Sequence, residues 1–330
     1  MENLKLIAQK LVANGKGILA ADESTPTCTN RFKLLGVNST EEARNEYRSM
    51  LFSTPSLENY ISGVILFDET FYQNIKNTNT PIPQYLTKKN IIPGIKVDAG
   101  AKILAQHSPE KITEGLDGLR DRLQKYHQGG ARFAKWRAVI TINNDIPSEA
   151  CLHANAHALA RYASLCQESG LVPIVEPEVL MDGSHNIEKC YKVSNQTLKQ
   201  VFQELHILNV DLEAIILKPN MILPGSKANK KIENTQIAQM TFEVLKRNVS
   251  EKVPGIAFLS GGQSCDLAAE RLNELNKQYP DKPWKLTFSY GRALQKDSLA
   301  TWAKGDFTSA QAALIHRAKM NYLAAKGEIN

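Results

Sequence analysis

The chain has 330 residues, of which 42% are hydrophobic and 22% are charged, and its formal net charge is +6 at pH 7. This length can bury a large core, either in one large barrel domain or in two ordinary domains. The lysines and arginines are scattered and form no basic run, which argues against a nucleic-acid partner and favours a small phosphorylated molecule. No uncharged run approaches the ~18 residues of a membrane-spanning helix, so we expect no membrane partner.

The cysteines are five in number and include no C-x-x-C pair. An odd number without paired spacing is typical of reduced thiols rather than of a disulfide framework. The first ten residues are charged and have a helical pattern without the apolar segment of a secretion signal. We therefore expect a cytoplasmic protein.

The chain begins with an amphipathic helical pattern at 1–15, in which Leu4, Ile7, Ala8 and Leu11 share one face. Eight β-rich runs then alternate with helical patterns. These runs are 17–22, 63–67, 91–97, 132–140, 171–176, 213–218, 254–260 and 284–289. A strand alternating with a helix eight times is typical of parallel βαβ units with right-handed crossovers.

No G-x-G-x-x-G motif follows the first run, and no change of composition marks a second domain. We therefore predict an α/β fold, a closed (β/α)8 TIM barrel, rather than an open doubly wound sheet. The barrel is expected to extend over about 17–305, with the additional N-terminal helix closing its lower face. A C-terminal helix and a short tail are expected over 306–330, so that one domain spans residues 1–330.

The apolar runs end on charged side chains, and in this fold the carboxyl ends of all eight strands line one mouth. These residues are Asp22, Lys96, Lys135, Arg137, Glu176, Glu178 and Lys218. Residues two apart on a strand face the same side, so each of the pairs on strands four and five should point into the lumen. An isolated pair of this kind is ordinarily a solvated strand edge, but parallel barrel strands have no solvated face.

Lys218 ends the run Ala214 to Leu217 and is followed at once by a proline. Its apolar surroundings and the cationic neighbours Lys135 and Arg137 should lower the pKa of its ammonium group, which makes the amine a nucleophile toward a ketone. The sequence thus predicts a Schiff base on this lysine. Asp22, Glu176 and Glu178 are candidates for moving protons, although the two glutamates could also form a structural ion-pair network with the lysines.

Two glycine-bearing loops follow the last two strands, FLSGGQS (258–264) and FSYGRAL (288–294), and each opens a helix. Barrel enzymes commonly bind phosphate at this place through backbone N–H groups and helix N-termini, and Arg292 adds a bidentate donor. Ser24, Thr27 and Arg31, together with Lys96, could hold a second phosphate. His153 and His157 lie four residues apart on a helix, but without a carboxylate between them an exposed helix face is favoured over a metal site.

Motifs at every strand end give the sequence a family resemblance from about residue 4 to about residue 325. They are ILAADES (18–24), GVILFDET (63–70), GIKVD (94–98), FAKWR (133–137), VPIVEPE (172–178), LKPNM (217–221) and the two glycine loops. Together they resemble class I fructose-bisphosphate aldolase, the metal-independent Schiff-base type. The resemblance implies a lyase of glycolysis and gluconeogenesis that cleaves fructose 1,6-bisphosphate reversibly to dihydroxyacetone phosphate and glyceraldehyde 3-phosphate.

The resemblance also implies the role of each residue that matches a family motif. Lys218 would form the Schiff base, Glu176 would be the principal proton donor and acceptor, Asp22 would deprotonate the C4 hydroxyl, and Lys135 and Glu178 would assist at the carbinolamine. The C1 phosphate would bind Ser260, Gly261, Gly262, Ser289, Gly291 and Arg292. The far phosphate would bind Ser24, Thr27, Arg31 and Lys96, with Arg137 lining the mouth between them and Arg44 as a further contact. No metal and no separate cofactor are expected, and members of the family are usually homotetramers.

Two positions depart from the family pattern. Asn30 stands where many members have a lysine, so the far phosphate site is expected to be less cationic. The sequence ends at Asn330, whereas animal-type members carry a long tail ending in a tyrosine, so proton transfer on the enamine is expected to be slower or to use another group.

Two alternatives to this reading are open at the sequence level. One is another Schiff-base barrel lyase of the transaldolase or deoxyribose-phosphate aldolase type, which would not need two phosphate sites. The other is a scaffold that keeps the fold and binds a protein partner without turnover.

Overall fold

A computed structural model describes residues 3–229 and 231–329. Eight parallel strands close into a barrel in the order β1-β2-β3-β6-β7-β8-β9-β10, so the predicted (β/α)8 barrel is confirmed. The barrel strands are β1 (Gly17–Ala21), β2 (Ile61–Leu66), β3 (Ile92–Lys96), β6 (Phe133–Ile140), β7 (Val172–Val179), β8 (Ile216–Leu217), β9 (Gly255–Phe258) and β10 (Lys285–Tyr290). Each of these eight barrel strands overlaps one of the eight predicted runs.

Helices cover the outside of the barrel and its two chain ends. They are α1 (Leu4–Leu11), α2 (Thr25–Lys33), α3 (Glu41–Ser53), α4 (Asp68–Phe71), α5 (Ile82–Lys88), α6 (Leu119–Gln128), α7 (Glu149–Glu168), α8 (Ile187–Ile207), α9 (Asn234–Asn248), α10 (Cys265–Gln278), α11 (Arg292–Trp302) and α12 (Phe307–Lys326). Within the described residues, no helix is both long and apolar enough to cross a membrane.

The starts of many helices are fixed by side chains that accept a hydrogen bond from the first turn. The residues that cap a helix in this way are Asn3, Thr40, Ser148, Asn186, Ser264 and Asp306. Such a cap satisfies a backbone N–H group that has no partner inside the helix, and it typically contributes about 1 kcal/mol.

Helix α1 closes the lower end of the barrel, as predicted. Its apolar residues pack in one cluster with the lowest side chains of the lumen, which are Ile18, Ile65, Phe133, Ile174, Ile216 and Ala257. Two glycines of the strands permit this close approach. A Cβ atom at Gly63 would lie 2.7 Å from Leu11, and one at Gly255 would lie 2.7 Å from Val12. The lumen is therefore apolar and sealed below its midpoint.

Two elements differ from the sequence prediction. The sixth run forms a strand only at Ile216–Leu217, because Leu212–Ala214 is a 3₁₀ turn whose first residues are held by the side chain of Asp211. A two-stranded antiparallel hairpin, β4 (Ala101–Ile103) with β5 (Lys111–Thr113), was not predicted. Its strands have three residues each, which is too short for an alternating pattern to be visible.

Candidate active site

The carboxyl ends of the barrel strands surround a cavity of about 350 Å³. All but two of the predicted site residues line it. Those that do are Asp22, Ser24, Thr27, Arg31, Lys96, Lys135, Arg137, Glu176, Glu178, Lys218, Ser260, Gly261, Ser289, Gly291 and Arg292. Residues that lie up to about 270 positions apart in the chain therefore meet at one place, as the barrel topology requires.

Lys218 lies directly after β8, and its backbone N–H donates to the carbonyl of Val175 on β7 at 2.8 Å. This hydrogen bond keeps the residue in the barrel wall, so its side chain enters the lumen, where it is 4% exposed. Burial lowers the pKa of the Lys218 ammonium group, and the charge of Lys135 adds to this effect, while the carboxylate of Glu176 opposes it. The net pKa is below the ordinary value for lysine, which increases the fraction of neutral, nucleophilic amine.

Glu176 stands between the two lysines. Its Oε1 atom is 3.2 Å from Nζ of Lys218, and its Oε2 atom is 3.1 Å from Nζ of Lys135. The second contact has an ion-pair distance without hydrogen-bond geometry, so Oε2 has no hydrogen-bond donor in the part of the chain that the structure describes. A buried carboxylate oxygen in this state can accept a proton from a bound molecule.

Asp22 follows β1 and accepts a hydrogen bond from Lys135 Nζ at 3.0 Å. Burial would raise the pKa of the Asp22 carboxyl, but the charges of Lys135 and Lys218 outweigh burial and lower it to about 2. In return, burial acts to lower the pKa of Lys135, and the carboxylates of Asp22 and Glu176 raise it well above its ordinary value. At neutral pH both members of the pair are charged.

Arg137 was expected to act with Lys135 in lowering the pKa of Lys218, and the structure pairs its guanidinium with Glu178. The Arg137 Nε–H donates to Glu178, and this pairing neutralises the guanidinium group at the edge of the cavity. Burial acts against the charge of Arg137, but Glu178 and Glu176 raise its pKa above the ordinary value. Lys135 is the cation beside Lys218 that lowers the lysine's pKa.

The loops after β9 and β10 form one end of the cavity. Gly261 and Gly262 have φ angles of +57° and +81°, which a side chain would strain. Gly291 is the N-cap of α11, and the hydroxyl of Ser289 is buried without a hydrogen-bond partner among the described residues. Backbone N–H groups at a helix start and an unpaired hydroxyl are groups that bind an anion. Gly262 itself lies just outside the cavity, where a Cβ atom would be 3.8 Å from the guanidinium of Arg292.

Two further cations that line the cavity are already paired. Arg31 donates to Glu23 at 2.5 Å, and Lys96 Nζ lies 3.3 Å from Asp98. Both carboxylates line the cavity, although the sequence prediction did not include them. The signal was present, because each is a carboxylate directly beyond a strand, in the motifs ILAADES and GIKVD.

Arg44 does not line the cavity, and its predicted contact with the far phosphate is not supported. The side chain is buried in α3, where Nε donates to Glu69 at 2.9 Å and a terminal nitrogen donates to the carbonyl of Ser39 at 2.9 Å. The guanidinium is thus held by Glu69 and by the backbone of Ser39. Arg44 therefore belongs to the packing behind the site.

His153 and His157 project from α7 with largely exposed rings and share the carboxylate of Glu204 on α8. In residues 3–229 and 231–329, no three His, Cys, Asp or Glu side chains are arranged to hold a metal ion. The cavity offers amine, guanidinium, hydroxyl and carboxylate groups, which suit a polar anion.

Comparisons with known proteins agree with this geometry. The family model for fructose-bisphosphate aldolase class-I matches residues 3–330. A probable fructose-bisphosphate aldolase class 1 of Xanthomonas axonopodis pv. citri is 52% identical over 99% of this chain and 98% of its own length. Fructose-bisphosphate aldolase B of Gallus gallus is 47% identical over 98% of this chain and 89% of its own length.

The fold gives the same result. A structure of fructose-bisphosphate aldolase from Plasmodium falciparum, in complex with TRAP and a small-molecule inhibitor, superposes with a TM-score of 0.97. It is 46% identical, and the match covers 99% of this chain and 95% of that one. The chain belongs to the class I fructose-bisphosphate aldolase family, and its function is that of a class I aldolase, a carbon–carbon lyase.

Proposed function

We propose that this aldolase acts without a metal, through a Schiff base between Lys218 and the C2 ketone of fructose 1,6-bisphosphate. The observation that carries the proposal is the buried Nζ atom of Lys218, which has a lowered pKa and lies 3.2 Å from the carboxylate of Glu176. A neutral amine attacks the ketone, and the carbinolamine loses water as Glu176 supplies the proton. Glu178 and Lys135 assist at this stage.

Cleavage follows from the protonated imine. Asp22 accepts the proton of the C4 hydroxyl, the C3–C4 bond breaks, and its electron pair moves into the imine to form an enamine. Glyceraldehyde 3-phosphate leaves, the enamine is protonated at C3, and hydrolysis of the imine releases dihydroxyacetone phosphate. The ionised state of Asp22 supports its role as a base. Its pKa of about 2 makes it a weak base, and one of its oxygens already accepts a hydrogen bond from Lys135.

Two sets of residues that line the cavity or adjoin it are proposed to hold the two phosphates. The loops of Ser260, Gly261, Gly262, Ser289, Gly291 and Arg292 would bind the C1 phosphate, and Ser24, Thr27, Arg31 and Lys96 would bind the other. Arg31 is paired with Glu23, and Lys96 is paired with Asp98. The far phosphate would therefore replace these carboxylates as the partner of each cation when it binds. Arg137 would line the path between the two phosphates.

Borohydride reduction in the presence of dihydroxyacetone phosphate tests this mechanism. We expect a covalent adduct that peptide mass mapping places on Lys218, and activity that EDTA leaves unchanged. The variant Lys218→Ala should lose both the adduct and the activity, and retained turnover would refute the assignment. Comparing fructose 1,6-bisphosphate with monophosphate substrates separates this enzyme from a transaldolase or deoxyribose-phosphate aldolase type.

We also propose that the protein is a cytoplasmic homotetramer in which each chain forms a single domain. The support is the family resemblance, the name "cytosolic" of an Arabidopsis thaliana relative with 49% identity, and the five free, buried thiols. Light scattering on a sizing column tests the oligomer, and a species other than four chains would contradict it.

A further inference from the structure

The two strands that carry the proposed lysine and acid stop pairing at the reactive side chains. Val175 on β7 is opposite Leu217 on β8, and the backbone N–H of Lys218 donates to Val175. One more step in this register places Glu176 beside Lys218, in agreement with their 3.2 Å contact. The spacing of the catalytic pair is therefore a property of the alignment of these two strands.

The main chain cannot continue this ladder in the usual way. The next residues on the two strands are Pro177 and Pro219. Pro177 has no backbone N–H group, so it removes the donor that this ladder would direct to the carbonyl of Lys218. Pro219 faces β9 instead, where its carbonyl accepts a hydrogen bond from the backbone N–H of Leu259 at 3.1 Å. Strand β8 is only two residues long, and among the described residues the hydrogen bond from Lys218 to Val175 is the last backbone–backbone bond between it and β7.

The side chain of Asn220 bridges the two strands beyond the prolines. Its Oδ1 atom accepts a hydrogen bond from the backbone N–H of Val179 at 2.9 Å. In a continuous parallel ladder that N–H would bond to the main-chain carbonyl of residue 220. The amide carbonyl of the side chain thus replaces the backbone carbonyl of the same residue.

The orientation of the Asn220 amide is itself fixed. Its Nδ2 donates to the hydroxyl of Ser194 on α8 at 3.2 Å and to the carbonyl of Met221 at 3.0 Å. The residue is buried, and it does not line the cavity that holds Lys218 and Glu176. It can therefore affect the reaction only through the backbone.

We propose that Asn220 is a positioning residue, which holds the end of β8 against β7 and so sets the distance between Lys218 and Glu176. This inference rests on the proposed Schiff-base mechanism. Without the bridge, Val179 loses its acceptor and the two strand ends can separate beyond the prolines. The amine and the carboxylate then move apart, while the backbone N–H of Leu259 in the loop after β9 still donates to the carbonyl of Pro219.

Thr241 on α9 provides a matched control. Its hydroxyl accepts a hydrogen bond from the backbone N–H of Ile222 at 2.9 Å, and like Asn220 it is buried. Both side chains support the segment that follows Lys218, but only Asn220 reaches β7. A cavity of about 10 Å³ lies between them, which is enough for about one water molecule. Asn220→Leu is the main variant, because the leucine fills the space that a water could take in Asn220→Ala.

The test compares the full-length wild type with Asn220→Leu, Asn220→Ala and Thr241→Val. For Asn220→Leu we expect kcat to fall about 10- to 100-fold, the scale of a misplacement near 1 Å, with KM for fructose 1,6-bisphosphate within about 3-fold of wild type. In Asn220→Ala we expect kcat to fall as well, but by a smaller factor. Thr241→Val should lose thermal stability but keep kcat.

The pH dependence of borohydride trapping gives the decisive measurement. Trapping requires the neutral amine, so its rate rises with pH through the pKa of Lys218. Glu176 raises that pKa, and a larger separation should therefore move the midpoint to lower pH in the Asn220 variants. A wild-type midpoint in a folded Asn220 variant, or an equal shift in Thr241→Val, would overturn the proposal. A wild-type enzyme that forms no adduct on Lys218 would instead overturn the Schiff-base mechanism.

Discussion

The carboxylate of Glu176 lies 3.2 Å from the Nζ atom of Lys218, and each of the two side chains is only 4% exposed. Water is largely excluded from this contact, so the strength of the interaction depends on the protein's own charges rather than on solvent. Lys135, on the other side of the same carboxylate, is the group that keeps Glu176 from pairing with Lys218 alone. The lysine can therefore lose its proton in spite of an acidic neighbour.

Replacing Glu176 with Gln should lower kcat by about 10²-fold or more, because a positioned acid and base group contributes on that scale. KM should change little, since Glu176 lies away from the proposed phosphate sites. Steady-state kinetics checks this expectation. Glu178→Gln is the comparison, because Glu178 accepts a hydrogen bond from Arg137 instead of contacting a lysine. We expect kcat to fall less in this variant. If kcat survives in Glu176→Gln, the carboxylate has only a structural role.

The acid stability of the fold should depend on Asp22. Its folded-state pKa of about 2 is below the unfolded value near 3.9, so its stabilising contribution is present above about pH 5 and is lost as pH falls toward 2. Asp22→Asn should be less stable than wild type by about 2 to 3 kcal/mol at pH 7, and the difference should shrink by about 1 kcal/mol at pH 3.

Urea unfolding followed by circular dichroism at the two pH values measures this difference. The exposed Asp145 provides the control, since Asp145→Asn should leave stability unchanged at both pH values. A difference between Asp22→Asn and wild type that stays constant with pH would contradict the assigned pKa.

Lys135 should control the titration of Asp22. Removing its charge in Lys135→Met takes away the largest effect that lowers this pKa, so the pKa of Asp22 should rise well above 2. Carboxyl titration by NMR with labelled aspartate measures the change directly. Lys96→Met should give a much smaller rise, because the charge of Lys96 contributes least among the three lysines. Equal shifts in the two variants would be inconsistent with the geometry.

Two arginines that the sequence places in one phosphate site should behave differently. Arg31→Met should raise KM for fructose 1,6-bisphosphate several-fold, because the Arg31 side chain lines the cavity. Arg44→Met should leave KM within about 2-fold and lower the melting temperature instead, since it leaves Glu69 partly buried without one of its partners. A large KM effect in Arg44→Met would show that the arginine reaches the substrate.

The fold could be predicted from the sequence because each barrel strand is buried on both faces and is therefore a continuous apolar run. The ends of these runs identified Lys218, Glu176 and Asp22, since the topology alone brings strand ends together. The length of the sixth strand could not be predicted in this way. The hydrogen bond of Asp211 to the backbone of Glu213 turns the start of an apolar run into a 3₁₀ turn.

Side-chain partners were harder to predict than positions. Arg44 does not line the cavity and is paired with Glu69, which is 25 residues distant in the chain. The sequence analysis did not include Glu23 among the site residues, because Glu23 pairs with Arg31 and not with the proposed reacting residues. A lysine or arginine side chain is long enough to reach several carboxylates. Which carboxylate it pairs with depends on tertiary packing that no local pattern encodes.

Helix α1 closes the lower end of the barrel, so the active-site cavity is not open at that end. A molecule that enters past Arg137 cannot leave through the floor, because α1 and the apolar layer above it fill that exit. The two products of cleavage must therefore leave one after the other through the same mouth of the barrel. In the proposed mechanism one product stays bonded to Lys218 until its imine is hydrolysed, so the free aldehyde leaves first.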